Sequence, residues 1–232
     1  MGAPVPTPYL QIAIDGPAAS GKTTVARRLA DRLNVLYLDT GSMYRALAYL
    51  ALATQTDLDN EPALLRLAAQ NALDVRLDRQ APLGFRIFAG SNELTAEQLE
   101  STQVTAVVST VAAHARVREA MVKEQRAIAG QGPVVMAGRD IGSVVLPDAL
   151  VKVFLTASVQ ARVKRRGAQL AAAGVDVNAH ELAREIEERD RLDETRAVSP
   201  LRKAADAHTI DSSSLGVDEV VDRVSALVRE VS

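Results

Sequence analysis

The sequence predicts an α/β fold with a central parallel sheet flanked by helices. Three observations point there. Short apolar runs alternate with segments of helical periodicity along most of the 232 residues. A loop of small residues followed by a lysine joins the first apolar run to the first helical segment. One stretch, at about residues 72–100, instead alternates apolar and polar residues, so a small antiparallel sheet interrupts the pattern. Strands separated by helices cross over right-handed and pair in parallel, with helices on both faces.

The elements follow in order. Three prolines before residue 9 mark an N-terminal arm, ordered late or mobile. "LQIAID" (10–15) reads as a buried strand. In the segment after it Val25, Leu29 and Leu33 lie four apart with the arginines off that stripe, giving an amphipathic helix. "VLYLD" (35–39) is a strand, "GSMYRALAYLALAT" (41–54) a helix, and "EPALLRLAAQN" (61–71) a further helix with proline near its start. "LDVRLDR" (73–79) and "FRIFAGSNEL" (85–94) form the antiparallel element, with turn signals at 81–84 and 90–92. One long helix, roughly 101–130, leads to the strand "PVVMAG" (133–138). "LVKVFLTAS" (150–158) is the next strand, followed by charged helices at about 158–173 and 178–195 around a loose hinge at 170–178. "AHTIDSS" (207–213) is the last strand, and a helix from Val217 closes the chain. Ligands of such sheets gather beyond the carboxyl ends of the strands, here the loops after residues 15, 39, 138, 156 and 211.

Composition removes several classes of function. At 47% hydrophobic and 24% charged the chain can bury a core, and with 3% aromatics and no tryptophan that core is aliphatic. A net charge of −2 argues against a general nucleic-acid binder. No cysteine is present, so disulfides, thiolate metal sites and cysteine nucleophiles are excluded, and the three histidines are scattered. No signal peptide, myristoylation pattern or membrane-spanning run is found, and no long apolar surface stripe is left over. A cytoplasmic monomer without nucleic-acid or membrane partners is expected.

Gly16-Pro17-Ala18-Ala19-Ser20-Gly21-Lys22-Thr23 matches the phosphate-binding loop G-x-x-x-x-G-K-[ST], in the strand-to-helix context the motif requires. Small residues let backbone N–H groups curl around phosphate oxygens, and the following helix adds its dipole. Lys22 is expected at the β- and γ-phosphates, with the Thr23 hydroxyl helping to hold Mg2+. Such a loop establishes a nucleoside triphosphate site and leaves its use open. Switch GTPases need a base-reading N-K-x-D element, which is missing.

The other strand-end loops carry more information. "LDTGSMYRA" brings hydroxyls, Tyr44 and Arg45 to the ligand edge, although alone these also read as a core aromatic and a surface charge. "AGRDIGSVV" sets Arg139 and Asp140 there, or else an ion pair capping a turn. In "IEERDRLDETRAVSP", Arg189, Asp193 and Arg196 are spaced four and three apart on one helical face, which a solvated, ion-paired helix would also explain. Arg162 and "VKRRG" (163–167) pose the same choice.

With "IDGPAASGKTT", "LDTGSMYRA", "GRDIGSVVLPDA" and "ERDRLDETRAVSPL" in this order, the sequence resembles the bacterial-type cytidylate kinases from about Ile12 to the C-terminal helix. That resemblance implies a single P-loop kinase domain over residues 10–232. Within it lie a monophosphate-binding subdomain at about 40–130, carrying the β insert at about 72–100, and a helical lid at about 158–197. The implied reaction is ATP-dependent phosphorylation of CMP, and of dCMP, with Mg2+. Gly16, Pro17, Ala18, Ala19, Ser20, Gly21, Lys22, Thr23 and Thr24 would bind ATP, with Arg162 and Arg165 on the lid. Thr40 corresponds to a hydroxyl residue near the monophosphate, and Tyr44 packs beside the pyrimidine. Arg45 and Arg139 would bind the acceptor phosphate, while Ser109, Arg118 and Asp140 read cytosine. Arg189 and Asp193 would hold the ribose and Arg196 reach the phosphates. Lys22, Arg139, Arg189 and Arg196 are the implied catalytic groups. The 133–138 strand ends in Ala137-Gly138, which leaves no obvious second acidic residue for the metal beside Thr23.

Overall fold

The computed structural model describes residues 9–71, 73–172 and 174–231, so most of the proline-rich arm lies outside the described residues. So do Ala72, at the start of the expected insert, and Ala173, in the expected hinge.

Five strands form one parallel sheet: β1 (Gln11–Asp15), β2 (Leu36–Asp39), β6 (Val134–Gly138), β7 (Val151–Thr156) and β8 (His208–Asp211). Their order is β2-β6-β1-β7-β8. The carboxyl ends fall at residues 15, 39, 138, 156 and 211, as the apolar runs predict. Asp15 stands beside Gly138, and Asp39 beside Ala137. The chain leaves β1 for β2 on one side and later takes β7 on the other, making a topological switch point at β1 where ligands of such sheets bind. Ile12, Ile14, Leu38, Met136 and Leu155 are fully buried along the sheet. Helix α1 (Lys22–Leu33) packs on β6 and on the closing helix α9 (Val217–Val231) through Val25 and Leu29.

The antiparallel insert has three strands, β3 (Leu73–Leu77), β4 (Phe85–Ala89) and β5 (Asn92–Leu94), with the chain reversing at both turn signals. Its alternation is realised as expected. Phe85, Ile87, Ala89 and Leu94 are buried, while on the outer face Arg86 pairs with Asp78 and Glu93. Helices α2 (Gly41–Ala53) and α3 (Glu61–Gln70) precede it.

Two features correct the sequence reading. The segment expected as one helix over 101–130 is α5 (Thr102–Ala113) and α6 (Ala115–Ala129), preceded by a short α4 (Ala96–Glu100). The chain is extended at His114 (φ −69°, ψ 124°), whose ring Nε2 lies 2.7 Å from the Leu58 carbonyl. A long-range contact of this kind leaves no local breaker residue to read. The second feature is a single π-helical turn over Ile141–Val145, directly after Arg139 and Asp140. Helices α7 (Val159–Ala172) and α8 (Ala179–Thr195) pack against each other.

Candidate active site

The loop after β1 adopts its conformation because nothing larger than hydrogen fits at Gly16. Its φ is +151°, and a Cβ there would stand 2.0 Å from the Leu155 carbonyl oxygen. Lys22 folds back so that its ammonium donates to the Pro17 carbonyl at 2.6 Å, inside the loop. Burial, and then the charge of Arg139, holds its pKa well below that of free lysine. The Thr23 hydroxyl donates to Asp39 Oδ2 at 3.0 Å. The other Asp39 oxygen accepts the Gly41 N–H, also at 3.0 Å, at the start of α2.

Helices α7 and α8 close over this loop through two arginines. Arg162 forms a buried ion pair with Asp190 and donates to the Ala18 carbonyl at 3.3 Å. Asp190 in turn accepts the Ala18 N–H at 3.1 Å. Arg165 donates to the Ser20 carbonyl at 3.2 Å and to Ser212 Oγ at 3.0 Å. Both arginines thus lie at the loop, with their donors held by protein acceptors.

Opposite the loop, three guanidinium groups converge. Arg139 donates to Asp193 Oδ2 at 2.8 Å. Arg45 donates to the Leu99 carbonyl at 3.0 Å and to Thr105 Oγ1 at 2.8 Å. Arg189 has a buried, unpartnered Nε, and its pKa is lowered to about 10 by burial and by the charges of Arg139 and Arg45. Arg196 lies just past the end of α8, in extended conformation, and still reaches Asp193 Oδ1 at 3.6 Å. Like charges crowded in this way, with Asp193 shared between Arg139 and Arg196, suit an anion.

Behind them is a buried polar cluster. Arg118 Nη2 donates to Asp140 Oδ2 at 2.5 Å, and the two side chains are 2% and 6% exposed. The Arg118 guanidinium stacks over Tyr44, 5.2 Å from the ring centre. Tyr44 Oη, Arg118 Nε, Gln125 Nε2 and Arg196 Nη2 are buried without hydrogen-bond partners. Buried polar atoms in this state are rare, and their donors and acceptor are available to a polar group entering the cleft. Ser109 lies on α5 one turn beyond Thr105, partly buried. Thr40 donates its hydroxyl proton to the Ala137 carbonyl at 3.1 Å, tying β2 to β6. Gly138 leaves room for it, since a Cβ there would lie 2.7 Å from Thr40 Oγ1.

A family model described as cytidylate kinase matches residues 12–230. A cytidylate kinase of Pelotomaculum thermopropionicum is 50% identical over 220 residues, covering 95% of this chain and 96% of that one. One from Geobacillus sp. (strain WCH70) is 49% identical over 221 residues, with coverages of 95% and 97%. The chain belongs to the cytidylate kinase family. It is a nucleoside monophosphate kinase, a nucleotide-binding transferase that takes its phosphoryl group from ATP. A solved structure of an uncharacterized protein from Eubacterium ventriosum aligns over 95% of this chain and 98% of its own with TM-score 0.54 and 14% identity, a likeness of fold alone.

Four residues of the candidate site have no assigned role in the sequence reading. Asp39 sits on Thr23, Asp190 on the phosphate loop, Gln125 near Tyr44, and Asp15 under the loop that carries Arg139 and Asp140. Asp39 and Asp15 each end a strand at the ligand edge, which is the signal that could have marked them. No group of three or more histidine or acidic side chains suited to a metal occurs among the described residues. No helix among them is long and apolar enough to cross a membrane.

Proposed function

We propose that this kinase transfers the γ-phosphoryl group of ATP to CMP, and to dCMP, by direct in-line displacement with Mg2+. The observation that carries the reading is the convergence of Arg45, Arg139 and Arg189 beside a buried Arg118–Asp140 pair. The arginines suit an acceptor phosphate. The pair, with Ser109 and Tyr44, offers donors and acceptors to the amino group and ring edge of cytosine. A wrong base would leave those groups unpaired in a dry site, which is costly.

In this reading the loop from Gly16 to Thr24, including Pro17, Ala19, Ser20 and Gly21, cradles the ATP phosphates. An acceptor phosphate oxygen attacks the γ-phosphorus while the bond to the β,γ-bridging oxygen breaks, giving CDP and ADP. The acceptor is already an anion, so no general base is required. Lys22, Arg139, Arg189 and Arg196 stabilise the charge spread over the transferring group. Asp193, between Arg139 and Arg196, would hold the ribose together with Arg189. Thr23 and Asp39 suit Mg2+, which keeps several water and phosphate ligands and needs few from protein. When bound, the ion would neutralise β- and γ-phosphate charge. As the 158–197 lid closes on ATP, Arg162 and Arg165 exchange protein acceptors for phosphate oxygens. The 40–130 segment, with its β insert, forms the monophosphate side. The lack of cysteine and the near-neutral charge suit a cytoplasmic monomer acting on free nucleotides.

An ADP-release assay with ATP and each monophosphate in turn tests the reading. CMP and dCMP are expected to give the highest kcat/KM. Faster turnover with AMP or GMP would remove the cytosine assignment, and ADP release independent of any acceptor would remove acceptor transfer.

A further inference from the structure

The residue at the N-terminal cap of the π-turn is Asp140 (φ −143°, ψ 24°), yet its side chain makes no cap hydrogen bond. An aspartate at such a position ordinarily turns its carboxylate back onto the free N–H groups of its own first turn. Here those donors are taken by another strand. Asp15 Oδ1 accepts the Ile141 N–H at 2.8 Å, and Asp15 Oδ2 accepts the Gly142 N–H at 2.7 Å. The carboxylate of Asp140 is thereby left for Arg118, at 2.5 Å.

We propose that Asp15 is a positioning residue for the acceptor nucleotide: it caps the 141–145 turn in place of Asp140 and so holds Asp140 on Arg118 at the base end of the site. The inference rests on the reading of Asp140 and Arg118 as base-binding groups. Asp15 is 4% exposed and stands in register with Gly138 across the β1–β6 pair. The next residue, Gly16, opens the phosphate loop, so one side chain joins the floor of the donor site to the turn carrying the acceptor-site groups. Without the Asp15 carboxylate, the Ile141 and Gly142 N–H groups need another acceptor, and the nearest one in sequence is Asp140. Turning back to cap them, Asp140 would leave Arg118 unpaired and displaced from the base.

A double-mutant cycle on the full chain tests this, with KM for CMP and for ATP as readouts. Asp15→Asn keeps the size but replaces one acceptor oxygen with a donor. It is expected to raise KM for CMP about tenfold or more, the effect of losing a hydrogen bond to a charged group, with KM for ATP changed less than about twofold. In an Asp140→Asn background the same change is expected to add little, since Asp15 acts through Asp140. Equal increases for CMP and ATP, or effects of Asp15→Asn and Asp140→Asn that multiply fully, would overturn the inference alone. A silent Asp140→Asn would overturn the base-site reading together with it.

A measurement on the unmodified enzyme does not depend on how the variants fold. Burial raises the Asp15 pKa to about 6 against the opposing effect of the two N–H groups. The charged groups facing it are Asp140 and Lys22, while the stem of Lys152 packs on Gly142 and its ammonium pairs with Asp206. The amide protons of Ile141 and Gly142 should therefore shift together in NMR spectra with a midpoint near pH 6. Ile141 and Gly142 amide resonances that do not follow the titration of the Asp15 carboxyl carbon, at whatever pH that titration falls, would overturn the carboxylate cap.

Discussion

Asp190 holds the Arg162 guanidinium on one carboxylate oxygen and the Ala18 N–H on the other, so an ion pair between α7 and α8 is clamped to the phosphate loop. The side chains are 7% and 12% exposed. Removing one member of a buried pair strands the other, at a cost of about 3–5 kcal/mol. Arg162→Ala is therefore expected to lower unfolding stability by roughly that amount and to raise KM for ATP. Arg162→Ala combined with Asp190→Ala should recover much of the stability, because no charge is left alone, without recovering ATP affinity. Denaturant unfolding and ATP titration of the two variants separate these effects. Recovery of both together would mean that Arg162 serves only the fold.

The Thr23–Asp39 contact leads to a metal prediction. Asp39 fixes the hydroxyl that the motif assigns to Mg2+ and keeps its other oxygen on α2, so its orientation is set on both sides. Asp39→Asn should raise the Mg2+ concentration for half-maximal activity by about 10–100-fold, the range seen when a group orienting a metal ligand is lost. Saturating Mg2+ should restore most of kcat. An unchanged Mg2+ dependence would restrict Asp39 to capping α2.

The parallel sheet and the loop at Gly16 were legible because each strand is an apolar run and each helix carries its own periodic stripe. The arginines of the acceptor side were legible as residue types at strand ends and on one helical face. Their partners were not. Asp39, Asp15 and Asp190 each bond a group from another element; the strand-end positions of Asp39 and Asp15 mark them only as near the ligand edge, and nothing local distinguishes Asp190 from a surface carboxylate. The break at His114 has the same origin, since the acceptor beside its ring is the Leu58 carbonyl. The π-turn carries no proline or local cap to announce it, because its cap comes from β1.

Asp15 also sets a pH dependence of stability whose sign can be worked out. Its pKa is raised from 3.8 to about 6, chiefly by burial, so the folded protein binds this proton more tightly than the unfolded chain. The contribution is fully present below about pH 4 and is lost as the pH rises to about 6, then stays level. At about 1.4 kcal/mol per pH unit, the loss is roughly 3 kcal/mol. Asp193 runs the other way: burial opposes its ionisation, but Arg139, Arg189 and Arg196 outweigh that and lower its pKa. Its stabilisation disappears as the pH falls. Unfolding of the native protein and Asp15→Asn, compared from about pH 4 to 8, isolates the Asp15 term from any constant offset. The stability difference should change by roughly 3 kcal/mol below about pH 6 and level off above it. A difference independent of pH would mean that Asp15 titrates alike in both states.

Asp140→Ala separates the acceptor site from the donor site. Asp140 touches neither Lys22 nor the phosphate loop through any hydrogen bond among the described residues, whereas it is the ion-pair partner of Arg118. Its removal leaves a guanidinium with 2% exposure unpaired, costing about 3–5 kcal/mol of stability in the free enzyme. The same change should raise KM for CMP by well over about tenfold, since the base then meets a displaced arginine and no carboxylate. ATP affinity, measured by direct titration without CMP, should be nearly unchanged. Discrimination between CMP and UMP should fall as well, because the amino group that distinguishes cytosine loses its acceptor. Asp140→Asn sharpens the test. It keeps one acceptor oxygen and the side-chain volume while removing the charge, so it should retain more CMP discrimination than alanine does. If both variants weaken ATP and CMP equally, Asp140 supports the whole cleft and base recognition must be sought elsewhere among Ser109, Tyr44 and Gln125.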